Sequence, residues 1–199
     1  MGMENKHSAH DLAQMQSLPL EMKIIMTQQR IRQWYDHYDG MVYVSFSGGK
    51  DSTVLKHIVD GMYDDVPSLF INTGLEYVEI QKHAMSQRNV VTVRPEMRFD
   101  EVLKKYGYPV ISKRVAGYIA TAKRSPDSMR AKWIRGEEWT KFVAGGKYTY
   151  LIDSPFLISD QCCNVMKKNP AKRYAKQTGR KPMTGQMACE SLGRKNVWL

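Results

Sequence analysis

The sequence predicts an α/β fold, specifically a three-layer α/β/α sandwich with a mostly parallel, doubly wound sheet. Three short segments of apolar and β-branched residues alternate with longer segments whose apolar residues recur at helical spacing. Parallel strands need crossover connections of this length, and right-handed crossovers place helices on both faces of the sheet. The chain has 199 residues, of which 42% are hydrophobic, so it can bury one sizeable core.

The predicted elements run from an amphipathic helix to a short strand. The helix at residues 20–38 places Ile24, Ile31, Trp34 and Tyr35 at helical spacing. We expect a single domain overall, with residues 1–39 as a helical lead-in and residues 40–199 as the α/β domain, which is basic in its C-terminal part. The predicted strands are residues 41–46, 68–73 and 90–93, with a further candidate at 181–187, and the later helices are residues 51–62, 76–87, 99–106, 112–123 and 161–177, the last interrupted at Pro170.

The net charge of +10 is unevenly distributed along the chain. Residues 1–100 carry 10 basic and 13 acidic side chains, residues 101–160 carry 11 and 6, and residues 161–199 carry 9 and 1. A basic second half indicates an anionic ligand or a nucleic acid as partner, and a solvated basic face with no partner is the alternative.

The sequence favours a cytoplasmic protein with no membrane segment. No apolar run approaches the roughly 18 residues that cross a bilayer, and the first residues are charged where a signal peptide is apolar. The three cysteines, Cys162, Cys163 and Cys189, are too few for a disulfide scaffold, and the five histidines show no metal-ligand spacing.

The strongest chemical signal is SFSGGKDST, residues 45–53, which lies between the first strand and its helix. Glycines let the backbone approach a phosphate without a Cβ, and amides at a helix N-terminus donate hydrogen bonds at the positive end of the dipole. The segment is not a Walker A loop, because Val44 stands where that motif has its first glycine and Asp51 follows the lysine. A Gly-Gly turn with an ordinary helix cap is the structural alternative.

This loop resembles the pyrophosphate loop (PP-loop) of the adenine-nucleotide α-hydrolase superfamily, which includes ATP pyrophosphatases, sulfurtransferases and phosphoadenylyl-sulfate (PAPS) reductases. Three other regions resemble the reductase branch, which is common in bacteria and their phages. The resemblance covers roughly residues 40–195 and implies an α/β sheet with the nucleotide phosphates at the carboxyl ends of its strands. The three regions are NTGLEYVE at 72–79, YGYPVISK at 106–113 with ISDQCCNVMKKNPAKRY at 158–174, and GQMACES…R at 185–194.

The resemblance implies a site for an adenine nucleotide, whether PAPS, adenylyl sulfate, adenosine bisphosphate or ATP, the last with Mg²⁺. Each site residue also has a structural alternative as a turn, cap or solvated residue. The implied nucleotide and phosphate ligands are Ser45, Ser47, Gly48, Gly49, Lys50, Asp51, Ser52, Thr73, Gly74 and Glu79, and the implied ligands of the anionic substrate end are Lys113, Arg114 and Arg194.

The sequence leaves the catalytic residue, and enzyme activity itself, unassigned. PAPS reductases carry a nucleophilic cysteine in a C-terminal tail beyond the matched region, and we expect this chain to lack that tail. Cys162-Cys163 resembles the adjacent pair that binds a four-iron cluster in adenylyl-sulfate reductases. Such a cluster needs four thiolates and the chain has three, so no iron–sulfur cluster is expected. Cys189 is the third candidate.

The leading hypothesis is a PAPS-reductase-like protein, whose chemistry is thiol-dependent reduction of adenylyl-activated sulfate to sulfite with a thioredoxin-like reductant. The alternative is an ATP pyrophosphatase-type sulfurtransferase acting on tRNA or DNA, which the basic C-terminal region would contact. A third hypothesis is a non-catalytic nucleotide-binding or interaction module. A homodimer is also left open.

Overall fold

Four parallel strands form a sheet in the order β3-β2-β1-β4 in the computed structural model, which describes residues 8–138, 146–187 and 190. Helices flank the sheet, so the predicted α/β class is confirmed. In the register, Val44 of β1 lies beside Ser68 of β2 and Met183 of β4. The strands are β1 (Val42–Phe46), β2 (Ser68–Ile71), β3 (Val90–Val93) and β4 (Lys181–Met183).

The helices lie mainly between the strands and in the long connection from β3 to β4. Short α1 lies within the predicted helical lead-in but was not predicted as a separate helix, and α7 was not predicted. In each a serine at the N-cap accepts a hydrogen bond from a backbone amide of the first turn. The helices are α1 (Ala9–Ser17), α2 (Leu20–His37), α3 (Lys50–Asp60), α4 (Val78–Ser86), α5 (Phe99–Tyr106), α6 (Lys113–Arg124), α7 (Met129–Arg135), α8 (Gln161–Cys163) and α9 (Asn169–Thr178), with a 3₁₀ turn at Thr149–Leu151.

The helix predicted over residues 161–177 is divided by a π-helical turn, Asn164–Lys168, between α8 and α9. Pro170 lies two residues after this turn and is fully buried. A proline has no amide proton and its ring crowds the carbonyl four residues earlier, which a regular α-helix cannot accommodate. The wider π turn relieves that conflict, so the chain stays helical across the proline.

The core of the sheet region forms around β1, in which Val42, Val44 and Phe46 are almost fully buried. From β1 the chain adds β2 and then β3 on one side, whereas β4 pairs on the other side. The direction of strand addition therefore reverses at β1. In open parallel sheets, ligands bind outside the carboxyl ends of the strands at such a switch point.

The chain divides into two compact units. The first unit contains the sheet and comprises Met1–Ile71, Glu76–Val93 and Tyr174–Leu199, and the second comprises Asn72–Leu75 and Arg94–Arg173. In the second unit, α6 and α7 bury Ala116, Ile119 and Ile134 against each other. The domain boundary expected at residue 40 stays a prediction. Within the described ranges, no helix has the length and apolar composition that crossing a membrane requires.

Candidate functional site

The segment between β1 and α3 is a tight loop at the carboxyl end of β1. Gly48 has φ of +74°, a left-handed conformation that glycine adopts without strain. Gly49 is extended and forms the N-cap of α3, and Lys50 is the first helical residue. The predicted strand–loop–helix order is therefore present, and Ser45 lies within β1 itself.

Two serines of this loop bond to each other rather than pointing away from it. The backbone N–H of Ser47 donates to Oγ of Ser52 at 3.2 Å, and the two hydroxyl oxygens are 3.1 Å apart. The Ser52 hydroxyl donates to the carbonyl oxygen of Gly49 at 2.9 Å, and Ser52 is buried. Ser52 therefore shapes the loop, and its direct contact with a phosphate stays a prediction.

The Gly49 carbonyl oxygen accepts three hydrogen bonds at the start of α3. Besides the Ser52 hydroxyl, the backbone N–H of Thr53 donates at 2.9 Å and the Thr53 hydroxyl at 3.0 Å. Because a peptide unit is planar and trans, a fixed Gly49 carbonyl also fixes the direction of the Lys50 N–H, which points the opposite way. That N–H is one of the first amides of the helix, which have no acceptor within the helix.

The first turn of α3 thus presents oriented donors together with charge. The Lys50 side chain is exposed, and Asp51 is half-buried. The positive end of the helix dipole lies at the same place, so the loop favours an anion.

Helix α4 packs against the loop through residues that the sequence analysis did not identify. A Cβ on Gly48 would lie 2.8 Å from Cγ2 of Ile80 and 3.6 Å from Cβ of Ala84. Glu79, which was predicted as a ligand, lies in the first turn of α4 and is exposed. The absence of a side chain at Gly48 is therefore required twice, by its backbone angle and by the neighbouring helix.

The segment after β4 passes close to the start of α3. A Cβ on Gly185 would lie 2.8 Å from the carbonyl oxygen of Asp51, closer than Cβ atoms approach in proteins. A cavity of about 640 Å³ adjoins this contact, between α2, α3 and the segment after β4, and Trp34 and Val54 line it. The resemblance placed residues 185–194 near the substrate, and Gly185 is beside the loop.

The other predicted ligands that are described belong to the second compact unit. Thr73 and Gly74 form a turn after β2, in which the Gly74 N–H donates to Oδ1 of Asn72 at 3.0 Å. Lys113 and Arg114 are exposed in the first turn of α6. Positive side chains at a helix N-terminus are unfavourable unless an anion is near. Their roles as ligands stay predictions.

The described cysteines form no disulfide and are the second and third residues of α8. Cys162 and Cys163 are half-buried, and Cys162 packs against Val102, Val165 and Met166. Within the part of the chain that the structure describes, no three His, Cys, Asp or Glu side chains are grouped as metal ligands would be. Cys189 and Arg194 lie outside the described residues.

Residues 41–110, which contain β1, the loop, α3 and α4, match the model of the phosphoadenosine phosphosulfate reductase domain. Over these residues the chain is similar to that family. The family is a branch of the adenine-nucleotide α-hydrolase superfamily, so the resemblance drawn from the PP-loop is confirmed. The match favours an adenine nucleotide as the ligand.

One relative with a curated sequence is an uncharacterized protein of Methanocaldococcus jannaschii. It is 31% identical over 94 residues, which are 45% of this chain and 23% of the relative. The chain therefore matches less than a quarter of the length of that relative.

Proposed function

We propose that the PP-loop, residues 47–52, binds the phosphates of an adenine nucleotide and that the protein acts on adenylyl-activated sulfate. The observation that carries the proposal is the Gly49 carbonyl, which accepts three hydrogen bonds and so orients the Lys50 amide at the N-terminus of α3. The position of this loop at the switch point of the sheet supports the same conclusion.

In the proposed reaction, a thiolate attacks the sulfur of the activated sulfate. The bond between sulfur and the phosphate oxygen breaks, adenosine bisphosphate leaves, and the sulfur becomes a thiosulfonate on the attacking thiol. One thiol of a thioredoxin-like dithiol then attacks the sulfur of that cysteine and displaces sulfite, and the other thiol of the dithiol resolves the mixed disulfide. The dithiol is thereby oxidised to a disulfide and the cysteine is returned as a thiol. The loop and Lys50 would stabilise the charge that develops on the leaving phosphate. Cys162, Cys163 and Cys189 stay candidates for the thiolate.

The proposal is tested by titration calorimetry with ATP, adenosine 3′,5′-bisphosphate and adenylyl sulfate, with and without Mg²⁺. Lys50→Ala should weaken binding about ten- to a hundredfold, because it removes charge-assisted hydrogen bonds worth about 1.5–3 kcal/mol. Lys23→Ala, an exposed lysine on α2, is the matched control and should bind as the wild type does. Unchanged affinity in Lys50→Ala and in Gly48→Val would show that the phosphates bind elsewhere.

A second candidate function is that of an ATP pyrophosphatase-type sulfurtransferase with a nucleic-acid acceptor. The observation that favours it is a set of exposed lysines around α9. Exposed cations of this kind bind phosphate backbones. This function would be supported if the protein, supplied with ATP and Mg²⁺, split ATP to AMP and pyrophosphate only when tRNA or DNA is present. The exposed lysines are Lys167, Lys168, Lys172 and Lys176.

A cytoplasmic location is a further part of the proposal, and the oligomeric state stays open between monomer and homodimer. Free thiols at Cys162 and Cys163 suit a reducing compartment. Light scattering of the purified protein measures the oligomeric state directly.

A further inference from the structure

We infer that α4 positions the PP-loop and that His83 is a positioning residue, acting on the Lys50 amide through Thr53. The inference rests on the proposed function in one respect, namely that the Lys50 amide binds a phosphate. Neither His83 nor Ile80 belongs to the motifs that identify the PP-loop, and their part emerges only from the packing of α4.

Three residues on one face of α4 contact the loop and its helix. Ile80, His83 and Ala84 are three and four positions apart, so they share a face. Ile80 and Ala84 lie under Gly48, as the close approach of a hypothetical Cβ shows. Nε2 of His83 lies 3.5 Å from Oγ1 of Thr53. The face therefore contacts both the left-handed glycine and the first turn of α3.

The contact distances assign the donor between His83 and Thr53. The Thr53 hydroxyl has one proton, and the Gly49 carbonyl, which can only accept, lies 3.0 Å from it, whereas Nε2 of His83 lies 3.5 Å away. We therefore assign that proton to the Gly49 bond, so that the Thr53 oxygen accepts from Nε2 of the His83 tautomer that carries a proton there. A donor on that oxygen polarises the hydroxyl and strengthens its bond to Gly49.

The contact between His83 and Thr53 affects the Lys50 amide through the planar peptide unit between Gly49 and Lys50. The Thr53 hydroxyl is one of three donors on the Gly49 carbonyl, and the direction of that carbonyl sets the direction of the Lys50 N–H. Loss of the His83 contact should therefore loosen the Lys50 amide without removing any group that touches the phosphate. His83 is in this sense a residue that acts through Thr53.

The test compares variants that remove or retain the donor. His83→Leu should weaken binding of adenosine 3′,5′-bisphosphate about two- to tenfold, the range expected for one hydrogen bond. His83→Gln retains an N–H at a similar reach and should restore most of the affinity. Thr53→Val should weaken binding and Thr53→Ser should not. His57→Leu, an exposed histidine on α3, is the matched control.

A double-mutant cycle and an NMR measurement separate positioning from general destabilisation. The double variant Thr53→Val/His83→Leu should bind as Thr53→Val does, since His83 acts through the hydroxyl. With ¹⁵N-lysine labelling and no nucleotide present, the Lys50 amide signal should move in His83→Leu and stay in place in His57→Leu.

The outcomes distinguish this inference from the proposed function. If the wild type binds no nucleotide but the Lys50 signal moves in His83→Leu, the proposed function fails and the positioning role of His83 is supported. If the wild type binds nucleotide and His83→Leu has the wild-type affinity and Lys50 signal, the inference is overturned. Additive losses in the double-mutant cycle would also overturn it.

Discussion

Single residues of the PP-loop region differ in what they require from their neighbours. Gly48 has a left-handed backbone and Ile80 beneath it, whereas Gly49 has an ordinary φ and only the Ser47 hydroxyl within 3.4 Å of a Cβ. The two adjacent glycines of the motif therefore have different structural roles.

Lys56 was not identified from the sequence, yet it is buried and donates to Oδ2 of Asp60 at 2.7 Å and to the carbonyl of Arg88 at 2.8 Å.

Gly185 provides a prediction at this scale. Gly185→Ala places a Cβ against the Asp51 carbonyl, which is backbone and cannot rotate away, so overpacking should lower the unfolding free energy by about 1–3 kcal/mol. The change should also weaken nucleotide binding, because it displaces the first turn of α3. Urea unfolding and calorimetry measure the two effects.

Gly61→Ala is the control for this prediction. Gly61 ends α3 with an ordinary φ, and its nearest atom to a new Cβ is 3.5 Å away. Alanine should be neutral or slightly stabilising there. Equal stability of the Gly185→Ala and wild-type proteins would refute the close approach of the two segments.

At the scale of elements, β1 and α9 are joined by a buried aromatic pair. Tyr43 of β1 and Tyr174 of α9 meet edge to face, with ring centroids 5.1 Å apart. Burial raises the pKa of both hydroxyls above the ordinary value of about 10, because the charged form is poorly solvated. The packing of these two elements is therefore linked to pH.

The sign of this linkage follows from proton binding. As the pH rises above about 10, the unfolded chain loses these protons first, so it binds fewer protons than the folded chain and the unfolding free energy falls. The fall is at most about 1.4 kcal/mol per pH unit for each tyrosine. Replacing both residues in Tyr43→Phe/Tyr174→Phe should make the unfolding free energy less dependent on pH between about pH 9 and about pH 11.

Urea unfolding at several pH values measures this slope. Tyr77→Phe, which changes an exposed tyrosine, should leave the slope as in the wild type. A slope that is identical in the double variant and the wild type would contradict the coupling of Tyr43 and Tyr174 to stability.

At the scale of the whole molecule, the PP-loop and the excess of basic side chains lie in different parts of the sequence. The PP-loop belongs to the first 100 residues, which have more acidic than basic side chains, whereas the last 39 residues carry 9 basic and 1 acidic side chain. The same uneven distribution applies to the thiols, all of which lie beyond residue 160. The loop itself contains no cysteine.

The number of thiols sets a limit on cluster binding by this chain. A four-iron cluster needs four thiolates, and the 199 residues contain three. Protein purified and reconstituted without oxygen should therefore lack stoichiometric iron and the broad visible absorption of a cluster. Four irons per chain would contradict this expectation, and four per dimer would indicate ligands from two chains.

The local sequence was sufficient for most elements of the sheet region. Short β-branched runs predicted β1 and β3 to within one residue, and the SGGKDS string predicted the loop, because strand formation, left-handed glycine and helix capping depend on neighbouring residues. The predicted strand 68–73 ends at Ile71 because the Asn72 side chain and Gly74 form a turn.

Only the tertiary structure decided which distant segments meet at the PP-loop. The pairing of β4 with β1 brings Gly185 against Asp51, more than 130 positions away in sequence, and the packing of α4 brings Ile80 and His83 to Gly48 and Thr53. These contacts have no local signature, since an isoleucine or histidine on an amphipathic helix is compatible with many neighbours. The sequence by itself determined the PP-loop, and long-range packing determined the residues that hold it in shape.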